Sequence, residues 1–459
     1  MTVSSERAAS RIEGALGAAI LSSQPTECAK YAIDGVAPAT VVRPRSAEET
    51  AEVVRLAGAE KLALIPCGAR TKFGMGMRPA RYDIALDMSG LNGVAHYDPG
   101  DLTLSVDAGT ALSAIDRLLA DKNQFLPLAV PFFDSATIGG TIASGIDSLL
   151  RQGYGTARDF LIGAEFVNGT GSLTKSGGRV VKNVTGYDLH KLLIGSLGTL
   201  AAVTRLNFRT FPRPVLRRGF LASFDNEHEA LSMRERIGSS ALSPSLMEIL
   251  SPEASRILFS AGSKIANLLV GAGSWHVCVG FEGNAEICDR YARGISRMAQ
   301  ESSAHDGLLL AEAQFHALGE QLREAIPQLL QASPLAVLFR FGGLPAETPA
   351  LLRALRSFAG SSWIPSAMLL HSHGVLHVAL LPAGPEESLL KQVAYFWKSV
   401  ESLHAKLDFH ASIPFCPPEW KRELNVWGSA PPDLAMMERV KRAFDPHNLF
   451  APGRFIGGI

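Results

Sequence analysis

Ile65-Pro66-Cys67-Gly68-Ala69-Arg70-Thr71-Lys72-Phe73-Gly74-Met75-Gly76 follows directly on the apolar run that begins at Leu62. A diphosphate needs several backbone N–H groups converging on its oxygens, and only small residues in tight turns allow that approach. Gly68, Ala69, Thr71 and two further glycines supply the space, while Arg70 and Lys72 add positive charge. The loop is not a Rossmann fingerprint, because Pro79 stands where the third glycine after Gly74-x-Gly76 belongs and no helix follows. By itself it reads equally well as a turn-rich connection.

The neighbouring pattern gives the loop a setting. Thr40-Val41-Val42 is a short β-branched run, and Ser46 with Glu49 forms a capping-box signature for a helix leading to the strand before the loop. Short strands IALDM and LTLSVDAG follow between residues 81 and 107, separated by turns. Residues 111–122 show helical spacing, with Leu112, Ile115, Leu118 and Leu119 on one face.

Between Thr137 and Thr199 the chain is dense in glycine. Thr137-Ile138-Gly139-Gly140-Thr141-Ile142-Ala143-Ser144-Gly145, with Pro131 shortly before it, lets a flat ring or a diphosphate lie against backbone. The other reading is a closely packed helix start. Tyr154-Gly155-Thr156-Ala157-Arg158 leads to a strand around Ile162, and AEFVNGTG predicts a two-residue hairpin turn. Then come Lys182-Asn183-Val184-Thr185-Gly186-Tyr187-Asp188-Leu189 and Gly195-Ser196-Leu197-Gly198-Thr199. Each could be loop punctuation, but packing alone does not explain their order and spacing.

After Pro212 the composition changes to longer helical patterns alternating with strands such as VLFRF and VLHVALL. The fold class expected is therefore α+β. A helical segment spans 1–36, a glycine-loop domain 37–212 and a second lobe 213–410. The segment 411–459 must pack back on the earlier domain.

Equal numbers of basic and acidic residues, 44 each, give no support for a nucleic-acid partner. The five cysteines contain no CxxC pair, which argues against a zinc ribbon, a cluster or a disulfide framework and fits a reducing cytoplasm. The first residues lack the pattern of a secretory signal, and no stretch is apolar enough to span a membrane.

The glycine segments, together with Phe444-Asp445-Pro446 and Pro452-Gly453-Arg454, resemble the PCMH-type FAD-binding domain shared by the vanillyl-alcohol-oxidase family. PPEWKRELNVWGSAPPDLAMMERVKRAFDP and PGRFIGGI are similar to the carboxyl terminus of the FAD-binding E subunits of bacterial glycolate oxidases. The resemblance implies an FAD domain of two α+β subdomains, a cap or substrate lobe, and a returning tail. Pro66 to Lys72 would form one diphosphate loop. Thr137, Ile138, Gly139, Gly140, Ala143, Ser144 and Gly145 would form the second, and Ile162 would contact the adenine side. Pro131, Tyr154, Gly155 and Arg158 would also contact the cofactor, and Asn183 and Tyr187 would sit beside the flavin. No His occurs in 65–80, so FAD is expected to be noncovalent, with Cys67 the remaining chemical alternative. Ala451 stands where the family often has Asn before its Pro-Gly.

Relatives that oxidise D-2-hydroxy acids carry HxGDGNxH and a later Glu-His pair. Leu370-His371-Ser372-His373-Gly374-Val375-Leu376-His377 keeps only Gly374 and His377 in register, so no functional metal is expected, although three histidines in seven residues are chemically able to hold zinc. Arg323 and Arg340 are the candidate anchors for a substrate carboxylate, Arg323 competing with a simple surface role beside Glu324. The implied activity is hydride transfer from a hydroxy acid such as glycolate to FAD. It would occur within a complex holding a paralogous flavin subunit and an iron–sulfur subunit, in the cytoplasm or on the inner membrane through partners. A stand-alone oxidoreductase and a non-catalytic FAD-holding subunit are the alternatives.

Overall fold

The computed structural model describes residues 3–179, 186–260, 273–361, 364–384 and 388–459. Thr40–Val42, Ile84–Asp87 and Leu64–Cys67 pair in parallel, in that spatial order, and Leu21–Ser22 closes one edge antiparallel. Helix Ala47–Ala59 makes the crossover between the first and third of these strands and buries Val53, Val54 and Ala57. Ser46 caps it by accepting from the Glu49 N–H at 3.1 Å. The Glu49 carboxylate turns to the Arg45 N–H at 2.7 Å, so the capping box is satisfied on one side only.

A second sheet has five antiparallel strands in the order Val94–Asp98, Thr103–Asp107, Ala202–Arg209, Leu161–Val167, Leu173–Gly177. Helix Leu112–Ala120 buries Leu112, Ile115 and Leu119 with strand residues Leu104, Leu206 and Phe208. The two-residue turn expected in AEFVNGTG is in fact a longer connection. Asn168 accepts from the N–H groups of Thr170 and Ser172, each at 3.0 Å, and this side-chain turn spreads the reversal over 168–172.

The third sheet has eight antiparallel strands ordered Asp306–Leu310, Leu216–Phe224, Trp275–Gly283, Leu246–Leu250, Ser366–His371, Val375–Leu380, Val337–Gly343, Phe409–Phe415. Strand alternation gives it two buried faces. Phe220, Phe224, Val277, Phe339, Phe341 and Val378 enter one core with the helices Glu227–Gly238, Ala285–Glu301 and Leu389–Glu401. Leu221, Cys278, Leu338 and Ala379 enter the other, which also takes Leu149 and Ile146 from the glycine-rich region. The same alternation places four polar residues, Glu248, His371, His377 and Arg340, on this second face.

The tail closes the first sheet. Phe450 bridges Leu64 in parallel, and the Ala451 N–H donates to the Leu64 carbonyl at 2.8 Å. Lys441, buried, donates to the Thr199 and Phe450 carbonyls and to Asp445, at 2.7, 2.8 and 2.8 Å. Lys421 likewise donates to Asp34 at 2.9 Å and to the Gly74 carbonyl at 2.7 Å, its side chain and that of Asp34 almost fully enclosed. Each of the two buried lysines has three acceptor contacts, which offset the cost of its burial. The class is α+β with several sheets. No helix among the described residues is long and apolar enough to cross a membrane.

Candidate functional site

The loop after strand Leu64–Cys67 curls because Arg70 takes a left-handed conformation, φ 62°, its guanidinium lying 4.3 Å from the centre of the Tyr31 ring. The backbone N–H groups of residues 68–72 find no acceptor among the described residues. Successive unpaired amides in such a curl form an anion-binding concavity. Lys72 sits beside them. Burial pushes its ammonium down to about 8, against the opposing charge of Glu324.

The facing wall is helix Ile138–Ser144, capped by Thr137, whose hydroxyl accepts from the Gly140 N–H at 3.3 Å. A Cβ on Gly68 would lie 2.2 Å from Thr137 Oγ1, so the two loops meet with no room for a side chain. Gly139 is required by packing, since its Cβ would lie 2.8 Å from the Ala108 carbonyl oxygen. Gly140 differs, because Thr137 Oγ1 at 3.1 Å is the sole neighbour its Cβ would meet. Its open side faces the cleft. Gly145 ends the helix at φ 60°, and a Cβ there would lie 2.8 Å from Gly195 Cα, which brings the 195–198 loop against the same cleft.

Pro66, Cys67, Gly68, Ala69, Arg70, Thr71, Lys72, Thr137, Gly139, Gly140, Ala143 and Ser144 all line this one cleft. Ile138 lies behind it in the core. The other expected contacts stand elsewhere. Pro131 is buried away from the cleft. Tyr154 packs edge-on between Phe125 and Phe211, at 5.2 and 5.3 Å, with its hydroxyl on Glu282. Gly155 serves a turn at φ 80°, Arg158 is exposed, and the Ile162 carbonyl accepts from the Gly178 N–H at 3.1 Å. Tyr187 is 90% exposed and does not line the cleft, and Asn183 lies outside the described residues. Ala201 and Val203 line the cleft without having been singled out, and Leu197, Gly198 and Arg454, from quoted segments that had been given no cofactor contact, line it too. For Arg454 the signal was present in Pro452-Gly453-Arg454. Its guanidinium, buried, donates to the Phe73 carbonyl at 3.0 Å and to that of Met75, which holds the loop from behind.

A second chamber of 250 Å³ shares Ser144 and Leu197 with the cleft and is also lined by Gly145. Asp147, Arg340 and His377 are its ionisable residues, with Ile326, Phe415 and Trp427 among its apolar ones. Arg340 Nε donates to Asp147 Oδ2 at 2.6 Å, and Arg151 donates to the other oxygen at 2.6 Å. Burial alone would raise the Asp147 carboxyl, but the charge of Arg340 and its hydrogen bond, helped by His377 and Arg151, hold it well below the usual range. The two terminal nitrogens of Arg340 have no acceptor among the described residues. Arg323 lines neither cavity: it pairs with Glu324 at 3.2 Å and covers the Phe133 ring at 4.2 Å. Glu324 in turn accepts from the Phe132 and Phe133 N–H groups at 2.8 and 3.1 Å, a tie between the lobe and the cleft region. Among the described residues no three or more His, Cys, Asp or Glu side chains are arranged to hold a metal.

Unpaired amides backed by cations, a glycine face without side chains, and an adjoining chamber suit a dinucleotide cofactor held beside a small ligand. Residues 38–177 match the FAD-binding domain model, and residues 213–413 and 419–455 match the model of the C-terminal domain of FAD-linked oxidases. The chain belongs to the FAD-linked oxidase family. It is 24% identical to glycolate oxidase subunit GlcD of Bacillus subtilis over 91% of this chain and 88% of that protein. It is 36% identical to glycolate oxidase subunit GlcE of Escherichia coli over 36% of this chain and 46% of that one. In fold it is similar to p-cresol methylhydroxylase, with a TM-score of 0.77 at 16% identity, covering 99% of this chain and 97% of the other. FAD is the cofactor, held noncovalently: the one cysteine in the loop, Cys67, is buried, which pushes its thiol well up and keeps it protonated.

Proposed function

We propose that the chain is the FAD-binding subunit of a dehydrogenase complex that oxidises D-2-hydroxy acids, with glycolate the simplest case. One observation carries this reading. Arg340 and His377 are register partners on neighbouring strands and both line the chamber that opens onto the cleft. Directly opposed residues on one sheet face are ~5 Å apart, which suits a ligand with carboxylate and hydroxyl on adjacent carbons. Arg340 would take the carboxylate on its free terminal nitrogens, and His377 would meet the hydroxyl.

The amides of residues 68–72 would hold the diphosphate, with Lys72 beside them, and Gly140 and Ser144 would support the cofactor's approach to the chamber. Bound there, FAD accepts a hydride. Similarity to two different glycolate oxidase subunits supports a partner flavin subunit. The five cysteines are free and offer no cluster site, so electrons would leave through an iron–sulfur partner.

Anaerobic mixing of the FAD-loaded chain with glycolate and with D-lactate tests the reading. Flavin absorbance should bleach slowly with the chain alone and faster with its partner subunits. No bleaching by either acid under both conditions would sink it.

A further inference from the structure

We infer that Glu248, His371 and His377 form a buried proton relay that leads away from the chamber and makes His377 the acceptor of the substrate hydroxyl proton. This rests on the reading that the chamber holds the alcohol. His377 Nδ1 lies 2.9 Å from His371 Nε2, and His371 Nδ1 lies 2.5 Å from Glu248 Oε2. The three residues come from three adjacent strands on one sheet face, Glu248 opposite His371 in register. Glu248 is 1% exposed and His377 3%. The Glu248–His371 contact is a close ion-pair contact rather than an aligned hydrogen bond, and His371 Nδ1 and Glu248 Oε2 have no hydrogen-bond partner among the described residues, so Glu248 acts on His371 through its charge. With Nδ1 taken, the Nε2 edge of His377 is what remains for a molecule in the chamber that it lines.

The chain of contacts has a competent state. Glu248 is ionised, His371 carries its proton on Nδ1, and His377 carries its own on Nδ1, which leaves Nε2 bare. When the carbon-bound hydrogen leaves with its electron pair, the hydroxyl proton goes to His377 Nε2. The Nδ1 proton of His377 moves to His371 Nε2, and the C–O single bond becomes a carbonyl. His371 ends as an imidazolium against the Glu248 carboxylate, and His377 ends neutral with its proton on Nε2.

The electrostatics favour that resting place. Burial would lower His371, but the charge and contact of Glu248 more than offset it and raise the imidazole. Burial raises Glu248, with His371 opposing in part. Burial, followed by the charge of His371, drives His377 well down, so it passes a proton on rather than keeping a second one. Asp147 and Arg340 also face the pair, with opposite signs, Arg151 stands behind Asp147, and the His373 ring stacks on His371 at 5.3 Å. Below the midpoint of the relay the extra proton already occupies it and His377 Nε2 is blocked. Above it, Nε2 is free.

Histidine tautomers in the FAD-loaded, full-length chain test this directly. The twelve histidines are labelled with ¹⁵N, and His371→Asn and His377→Asn assign the two signals. Between about pH 5 and 9, His371 should gain a second proton at the same midpoint at which His377 switches from Nδ1–H to Nε2–H while staying neutral. Glu248→Gln should lower that midpoint by about one pH unit or more, because the stabilising charge is lost. A His377 that keeps one tautomer throughout, or two histidines that charge at separate midpoints, would overturn the relay. If Glu248→Gln fails to fold, the wild-type titration alone decides. No substrate enters the measurement, so its failure removes the relay and leaves the hydroxy-acid reading standing, whereas absent bleaching by glycolate removes that reading and with it the role of His377 toward a hydroxyl, leaving only the proton linkage between the two histidines.

Discussion

Arg340 Nε donates to Asp147 Oδ2 at 2.6 Å, joining the eight-stranded sheet to the loop that follows the glycine helix. The contact fixes the guanidinium by one edge and leaves its terminal nitrogens turned to other work. Arg151 holds the second Asp147 oxygen, so the carboxylate keeps a partner when Arg340 is removed.

Arg340→Ala should therefore fold and retain FAD, and raise KM for glycolate ~10–100-fold in an active complex, the scale of a lost charge-assisted hydrogen bond. Arg323→Ala should leave KM within ~2-fold, since its partners are Glu324 and the Phe133 ring. Steady-state kinetics on both variants separates the two anchors. A KM effect confined to Arg323→Ala would move the substrate site away from the chamber.

Gly140→Val should abolish FAD binding. The new side chain has Thr137 Oγ1 on one side and otherwise projects into the cleft. Loss of a tight ligand also removes its mass-action stabilisation, so the melting temperature should fall to that of the apoprotein. Absorbance at the flavin bands of the purified variant reads the outcome, and wild-type flavin content would contradict the assignment. Acid precipitation of the wild type should release all flavin into the supernatant.

Lys72 gives FAD binding a pH dependence. In the free protein burial holds its ammonium at about 8. A bound diphosphate raises that value, because negative charge favours the protonated form. The complex then carries more protons than the free chain above pH 8, so binding takes up protons and weakens as pH rises. Calorimetry at pH 9 in two buffers of different ionisation enthalpy should show uptake approaching one proton, and Lys72→Met should abolish it. Proton release would count against this cradle.

Ala451 adopts φ 43° within the buried turn that returns to Leu64. A non-glycine residue in the left-handed region costs ~1–2 kcal/mol, and Asn tolerates it better than Ala. Ala451→Gly should thus stabilise the protein by ~1 kcal/mol with FAD content unchanged, as read by urea unfolding. A loss of stability would mean that the methyl group, 0% exposed, contributes more through packing than the strain costs.

Residues 65–76 and 137–145 could be read as diphosphate loops because glycines there allow close approach and Arg70 and Lys72 bring charge, whereas the left-handed curl at Arg70 came only with the structure. At Ala451, where the family often has Asn, the backbone is left-handed, a conformation that Asn tolerates better than Ala and that the sequence does not reveal. Tyr154, Arg158 and Tyr187 share glycine-rich surroundings with the true lining residues, yet Tyr154 faces an aromatic cluster and Tyr187 faces solvent. Which way a loop turns depends on long-range packing that spacing does not encode. His377 was judged by a metal motif it fits poorly. Its neighbour His371 pairs across the sheet with Glu248, more than a hundred residues earlier, a contact that spacing does not reveal.

The parallel bridge between Leu64 and Phe450, with Lys441 bonded to the Thr199 carbonyl, sets an order of events during synthesis. The first sheet lacks its closing segment, and Arg454 cannot brace the Phe73 carbonyl, until residues 450–454 have left the ribosome. Contacts of such sequence separation form late and slowly. Nascent chains stalled ahead of residue 441 should therefore carry a substrate lobe able to fold by itself beside an unfinished nucleotide cradle. Flavin capture should then be confined to molecules in which Phe450 has met Leu64.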